Sequence, residues 1–198
     1  MPRQQERSAL AQRRLLDAAV AVFLERGYAE SSLEEVARRA GVSKGLVYHH
    51  FGSKERLLLA LHEECDQRLK QRVLAADVGG PVPANLMRGM KAFVRAIADM
   101  PSARLTLLET PAVPGLREHV ERDQEAWTDS IAAELQRGVR RGEIAPLDTN
   151  MAARALLGAL HATALAVLAS TNPRQASRGA QQALARLIAG LAPLPDQT

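Results

Sequence analysis

The sequence predicts an all-α chain of about nine helices, and three observations carry that prediction. Apolar residues recur every three or four positions in one run after another, whereas no stretch alternates apolar and polar residues as a half-buried strand would. Residues suited to capping helix N-termini (Ser32, Ser43, Ser53, Asp148, Asn172) stand just ahead of those runs. Glycine and proline clusters separate them, and there are no tandem repeats or low-complexity tracts. The expected organisation is an N-terminal three-helix domain, residues 1–54, followed by a helical domain over residues 55–198.

Residues 1–8, MPRQQERS, are polar, with Arg3 and Arg7 either grazing a DNA minor groove or facing solvent. A first helix runs from about Ala9 to Arg26, its core stripe Leu15, Ala19, Val22 and Phe23, and ends at Gly27. Its expected role is to brace the two short helices after it. Ser32 with Glu35 forms a capping box, in which the hydroxyl takes an orphan N–H and the carboxylate reaches back. A short helix then carries Leu33, Val36 and Ala37 to about Arg39, and Ala40-Gly41 ends it. Ser43 caps another short helix, with Val47 and Phe51 inward. Two short helices joined by a glycine turn make a helix-turn-helix.

The outward positions of the second short helix are those of a surface built to lie against DNA. Gly45 costs about 1 kcal/mol relative to alanine inside a helix, and that cost makes sense where something must approach the backbone closely. Lys44 suits a phosphate or a guanine, Tyr48, His49 and His50 can hydrogen-bond to phosphate or base edges, and Leu46 suits a thymine methyl. Ser53 and Lys54, at the next helix start, are expected to offer an anion site for a phosphate.

From about Arg13 to Leu58 the chain resembles the DNA-binding domain of the TetR family of transcriptional repressors. The residues that carry the resemblance are Ala18-Ala19, Phe23, Gly27-Tyr28, Val36-Ala37, Gly41-Val42-Ser43-Lys44-Gly45, Tyr48, His50-Phe51 and Ser53-Lys54-Glu55. The family's usual threonine pair before the first short helix is Ser31-Ser32 here, which keeps the cap, and Leu46 stands where a polar residue is common. The resemblance implies a homodimer that binds a palindromic operator and is released by a small, mainly apolar effector.

Composition agrees without being decisive. The chain has a net charge of +4, and residues 1–54 hold nine Lys/Arg against six Asp/Glu, so the surplus lies with the expected DNA-binding end. Aromatics are 3% of a 46% hydrophobic composition, so aliphatics and alanine must fill the core. Cys65, the sole cysteine, excludes an internal disulfide and fits a reducing compartment; a packed thiol and a redox sensor are the two readings of it. No secretory signal is expected, and the cytoplasm is the expected location.

The rest of the chain reads as helices. Leu57, Leu58, Leu61, Cys65, Leu69 and Val73 share one face of a long helix to about Asp77. His62-Glu63-Glu64-Cys65-Asp66 lacks the second histidine that a zinc-protease helix needs. Val78–Pro83 is a loop, and Leu86, Met90, Phe93 and Ile97 stripe a helix to about Asp99. Pro101 opens a short helix that Pro111 and Pro114 close. Leu116, Val120, Trp127, Ile131, Leu135 and Val139 define a further long helix ending at Arg140-Arg141-Gly142. The apolar run Met151–Ser170 contains Arg154 and His161 and reads as a bundle helix, with no membrane as partner. It and the last helix, through about Ala189, are apolar around much of their circumference, so a second copy of the chain is expected to cover residues 149–190 as a homodimer.

In relatives of the TetR type the region beyond the DNA-binding domain forms a small-molecule cavity. By that analogy Met87, Met90, Phe93, Leu108 and Trp127 are apolar candidates to line it, and Arg104, Glu109, His119 and His161 polar ones; packed core is the competing reading of the same stripe. No nucleophile–base pair, phosphate loop or metal-ligand cluster appears at usable spacing, so no catalytic residue, metal or cofactor is expected. A helix-turn-helix regulator without a small-molecule ligand, or an all-helical carrier or enzyme, are the alternatives.

Overall fold

A computed structural model describes residues 2–193, and the side chains of 2–5 and 7 lie outside that description, Arg3 and Arg7 with them. Every regular element among the described residues is helical. The helices are α1 (Pro2–Arg26), α2 (Leu33–Ala40), α3 (Lys44–Phe51), α4 (Lys54–Ala75), α5 (Val82–Asp99), α6 (Ser102–Arg104), α7 (Arg117–Arg140), α8 (Thr149–Ala169) and α9 (Pro173–Ala189). By internal contacts they group into two units. One runs through Asp66 and includes Pro101–Glu118; the other comprises Gln67–Met100 and the chain from His119 on. The boundary between these units falls inside α4, which continues unbroken past residue 54 and gives Leu57, Leu58 and Leu61 to the first unit's core.

In the first unit α1 begins at Pro2, ahead of the expected Ala9, since a proline is well tolerated in a first helical turn. Leu15, Ala19, Val22 and Phe23 are buried as the stripe predicts, and meet Leu33, Val36 and Ala37 of α2 and Val47 and Phe51 of α3 in one core. Leu105, Val113 and Leu116 join the same cluster. The segment between Pro101 and Arg117 is not the single short helix expected. After α6 it widens into a π-helical turn, Leu105–Glu109, and then tightens into two 3-10 turns, Thr110–Ala112 and Pro114–Leu116. Pro111 and Pro114 cannot donate to helical hydrogen bonds, and the buried Thr110 hydroxyl donates back to the Leu105 carbonyl (3.1 Å).

In the second unit α5, α8 and α9 pack on one another. Helix α5 takes in Val82 and Pro83, the end of the expected loop Val78–Pro83, with Pro83 in its first turn, where a missing N–H costs nothing. The Val82 N–H, one of that turn's orphan donors, is taken up by Glu143 Oε2 at 2.6 Å. Asp148 caps α8 by accepting from Asn150 and Met151, and Asn172 caps α9 by accepting from Gln175. Helix α8 is long and apolar enough to cross a membrane, with mean hydropathy 1.6 over its most apolar window. It instead lays Ala153, Leu156, Leu160, Ala164 and Val167 into the packing with α5 and α9. Its Met151 and α9's Leu187 remain 63% and 50% exposed.

Candidate nucleic-acid interface and ligand cavity

The helix-turn-helix is fixed by local chemistry at each end. Ser32 accepts the Glu35 N–H while Glu35 Oε2 accepts the Ser32 N–H at 3.0 Å, so both halves of the capping box are made. Helix α2 ends on Gly41 at φ 68°, a left-handed conformation that a side chain would strain. Two bonds close that exit: Val42 N–H to the Ala37 carbonyl (3.0 Å) and Gly41 N–H to the Arg38 carbonyl (3.2 Å). They form a Schellman motif. Two residues later Ser43 accepts the Leu46 N–H at 3.3 Å and starts α3.

That geometry leaves one side of α3 open. Val47 and Phe51 are buried; Lys44, Gly45, Tyr48 and His49 are exposed, and Leu46 and His50 half-buried. A methyl group added at Gly45 would meet no heavy atom within 4 Å, so nothing in the chain itself demands a glycine there. The Lys44 ammonium pairs with Glu34 on α2 and sits 5.4 Å from the Tyr48 ring centre. The hydrogen bond between Lys44 and Glu34 holds the Lys44 ammonium above its usual range and the Glu34 carboxyl below its own. The hydroxyls of Ser32 and Ser43 are engaged in capping, so whatever these residues offer a ligand comes through the helix termini they hold.

Lys54 differs from its expected part as a phosphate ligand. Its ammonium donates to the carbonyls of Tyr28 (2.8 Å), Ala29 (3.0 Å) and Ser31 (2.9 Å), which uses all three N–H bonds, and lies 4.5 Å from the Tyr28 ring centre. It staples the start of α4 to the α1–α2 loop. Those partners stand more than twenty residues away in sequence, and no local pattern announces them. Sequence reasoning also passed over Glu34 and the charged cleft lined by Glu25, Arg26, Glu35, Arg38 and Arg39. There Arg26 pairs with Glu35 at 2.8 Å and Arg39 with Glu25.

The second unit contains a mainly apolar cavity of about 220 Å3. Val73 and Leu74 of α4, Leu86, Met90 and Phe93 of α5, Trp127 and Ile131 of α7 and Leu160 of α8 form its apolar wall, and Asp77, Asn85, Ser130 and Glu134 its polar part. Phe93 and Trp127 meet edge to face at 5.8 Å. Of the expected lining residues Met90, Phe93 and Trp127 are in this wall. Met87, His119 and His161, all half-buried, are not. Arg104 of α6 and Leu108 and Glu109 of the π-helical turn belong to the other unit, and they too are absent from the wall. Asn85, Glu134 and Val73 were missed because a helical stripe identifies an inward face but not which part of it stays unfilled. Cys65 is a buried thiol outside any disulfide. Among the described residues no group of three or more His, Cys, Asp or Glu side chains is placed to hold a metal ion.

Comparison with known proteins gives the same outline. Residues 15–61 match the profile described as bacterial regulatory proteins, tetR family, and residues 84–191 that of the tetracyclin repressor-like C-terminal domain. The chain is 33% identical over 143 residues to the A-factor receptor protein of Streptomyces griseus, an alignment covering 72% of this chain and 49% of that protein. It is 28% identical over 154 residues to the fatty acid metabolism regulator protein of Bacillus subtilis, covering 75% and 79% of the two chains. Among solved structures it resembles the TetR-family regulator PfmR of Thermus thermophilus (TM-score 0.76, 27% identity, 91% of this chain and 100% of that one). It resembles equally a TetR-family regulator from Pectobacterium atrosepticum (TM-score 0.75, 25% identity, 96% and 98%).

Proposed function

Because the chain belongs to the TetR family of bacterial regulatory proteins and is a DNA-binding transcriptional regulator, we propose that it is a ligand-released repressor acting as a homodimer. Residues up to about 54 read DNA, and the remainder binds the effector and the second subunit. Helix α3 enters the major groove with Lys44, Gly45, Leu46, Tyr48, His49 and His50 towards the duplex, while Ser32, Ser43 and Lys54 hold the helix ends in place. The observation that carries this reading is Gly45: an exposed helical glycine with empty space above it, flanked by a cation and ring side chains. Its helical cost makes sense if a nucleic-acid backbone comes close.

The exposed apolar side chains of Met151 on α8 and Leu187 on α9 support a second copy packing against these two helices. The cavity supports a small effector, and α4, which begins at the stapled Lys54 and ends in the cavity wall, is the natural carrier of coupling. An effector that prefers one arrangement by about 1–3 kcal/mol suffices to release DNA. A regulator of this kind works where the chromosome is, in the cytoplasm. Selection of bound duplexes from a random pool tests the reading. It should enrich a near-palindrome whose half-sites lie about 10 base pairs apart centre to centre, or a multiple of that. Enrichment of a single asymmetric site would sink the dimer.

A further inference from the structure

The polar residues in the cavity wall of the second unit are unequally committed. Ser130 donates back to the Ala126 carbonyl (2.8 Å), Asp77 accepts from the Gly79 N–H (2.9 Å), and Glu134 accepts from Arg137 through Oε1 (2.8 Å), its buried Oε2 held in the same ion pair (2.6 Å) without a hydrogen bond. Asn85 differs. It is 7% exposed, its Oδ1 accepts from the Arg88 guanidinium, and its Nδ2 is buried without a hydrogen-bond partner. A guanidinium can only donate, so the end of the amide that faces Arg88 must be the oxygen, and the end left over must be the NH2. A buried, unsatisfied donor is a standing cost that an acceptor on a bound molecule would remove.

The charge of the wall narrows the acceptor further. Asp77 and Glu134 are its ionisable members, and no lysine, arginine or histidine lines it. An anionic head group would have to shed its hydration beside the Asp77 carboxylate and the Glu134–Arg137 pair, with no cation in the wall to receive it. The space is also modest, about 220 Å3, below the roughly 300–1,000 Å3 of common small-molecule pockets. We propose that the cavity takes a small, neutral, mainly apolar molecule bearing a carbonyl oxygen, which accepts a hydrogen bond from Asn85 Nδ2, and that it discriminates against carboxylates of the same length. This rests on the reading of the cavity as the effector site.

The protein carries its own reporter, since Trp127 is the sole tryptophan and stands in the wall. Tryptophan fluorescence of the full chain is titrated with octan-2-one, octane and octanoate, on the wild type and on Asn85→Leu, which keeps a side chain of similar size but removes the donor. The ketone should bind the wild type about tenfold or more tighter than octanoate, and Asn85→Leu should weaken the ketone about tenfold while leaving octane within about twofold. If Asn85→Leu fails to give the wild-type circular dichroism spectrum, Asn85→Asp, which retains an acceptor for Arg88, should show the same selective loss. Octanoate binding as tightly as the ketone, or a ketone affinity indifferent to the loss of the amide, overturns the proposal but leaves the cavity as a binding site. No response to any of the three probes overturns both.

Discussion

Replacing Lys54 with methionine separates a staple from a DNA contact. The ammonium donates to three carbonyls of the Tyr28–Ser31 loop and lies against the Tyr28 ring. Hydrogen bonds from a charged donor contribute about 1.5–3 kcal/mol each. The three share one nitrogen, however, and carbonyls in a partly exposed loop can turn to water, so they do not add. A loss of about 2–4 kcal/mol is therefore expected. For a chain of this size that lowers the melting temperature by about 5–15 °C. Two assays decide: thermal and urea unfolding followed by circular dichroism, and gel-shift titration of a selected duplex over a range of salt. The staple account requires lower stability and a slope of log affinity against log salt that stays as in the wild type. Unchanged melting together with a slope shallower by about one unit would make Lys54 a phosphate ligand and refute it.

Other predictions come from the same geometry. Gly45→Ala should stabilise α3 by about 1 kcal/mol, because its methyl group meets nothing in the protein. It should weaken duplex binding by about 1–3 kcal/mol if the groove closes on that backbone; unchanged affinity by gel shift would remove Gly45 from the interface. Lys44→Ala should weaken binding and flatten the salt dependence, while Glu34→Gln, which frees the Lys44 ammonium from its ion pair, should tighten binding at low salt. In the second unit, a Cβ at Gly138 would stand 2.6 Å and 2.9 Å from Ile144 Cδ1 and Cγ1, so Gly138→Ala should destabilise by about 1–3 kcal/mol in urea unfolding despite its better helix propensity. Burial lowers the His161 pKa from its ordinary 6.5, so the unfolded chain binds more protons around and below that pH. Stability from this group is complete above pH 6.5 and falls as the pH falls through that value towards the folded pKa; His161→Gln should remove that part of the acid slope.

How much of this was legible in the sequence depended on the distance over which each interaction acts. Capping by Ser32, Ser43, Asp148 and Asn172 joins a side chain to a backbone two or three residues on, so the starts of α2, α3, α8 and α9 could be read directly. The inward faces of α1, α4 and α7 could be read from periodicity, since each buries a stripe of apolar side chains at helical spacing. The segment after Pro101 could not be read, because its course depends on a buried Thr110 hydroxyl competing for the Leu105 carbonyl as well as on its prolines. Neither could the engagement of Lys54 and Lys44, whose partners arrive only with the tertiary fold. The cavity sits between these cases. Met90, Phe93 and Trp127 were named from apolar spacing, but Asn85 lies on the same helix as an unremarkable amide until Arg88 takes its oxygen.

Photo-crosslinking asks most directly whether the open side of α3 faces DNA. A benzophenone amino acid replaces the exposed His49 in one sample and, as a control, the exposed Gln182 of α9 in another, each irradiated with a selected duplex. The account predicts efficient crosslinks to DNA from position 49 and none from position 182. Crosslinking from 182 with none from 49 would place the duplex against another surface and contradict it.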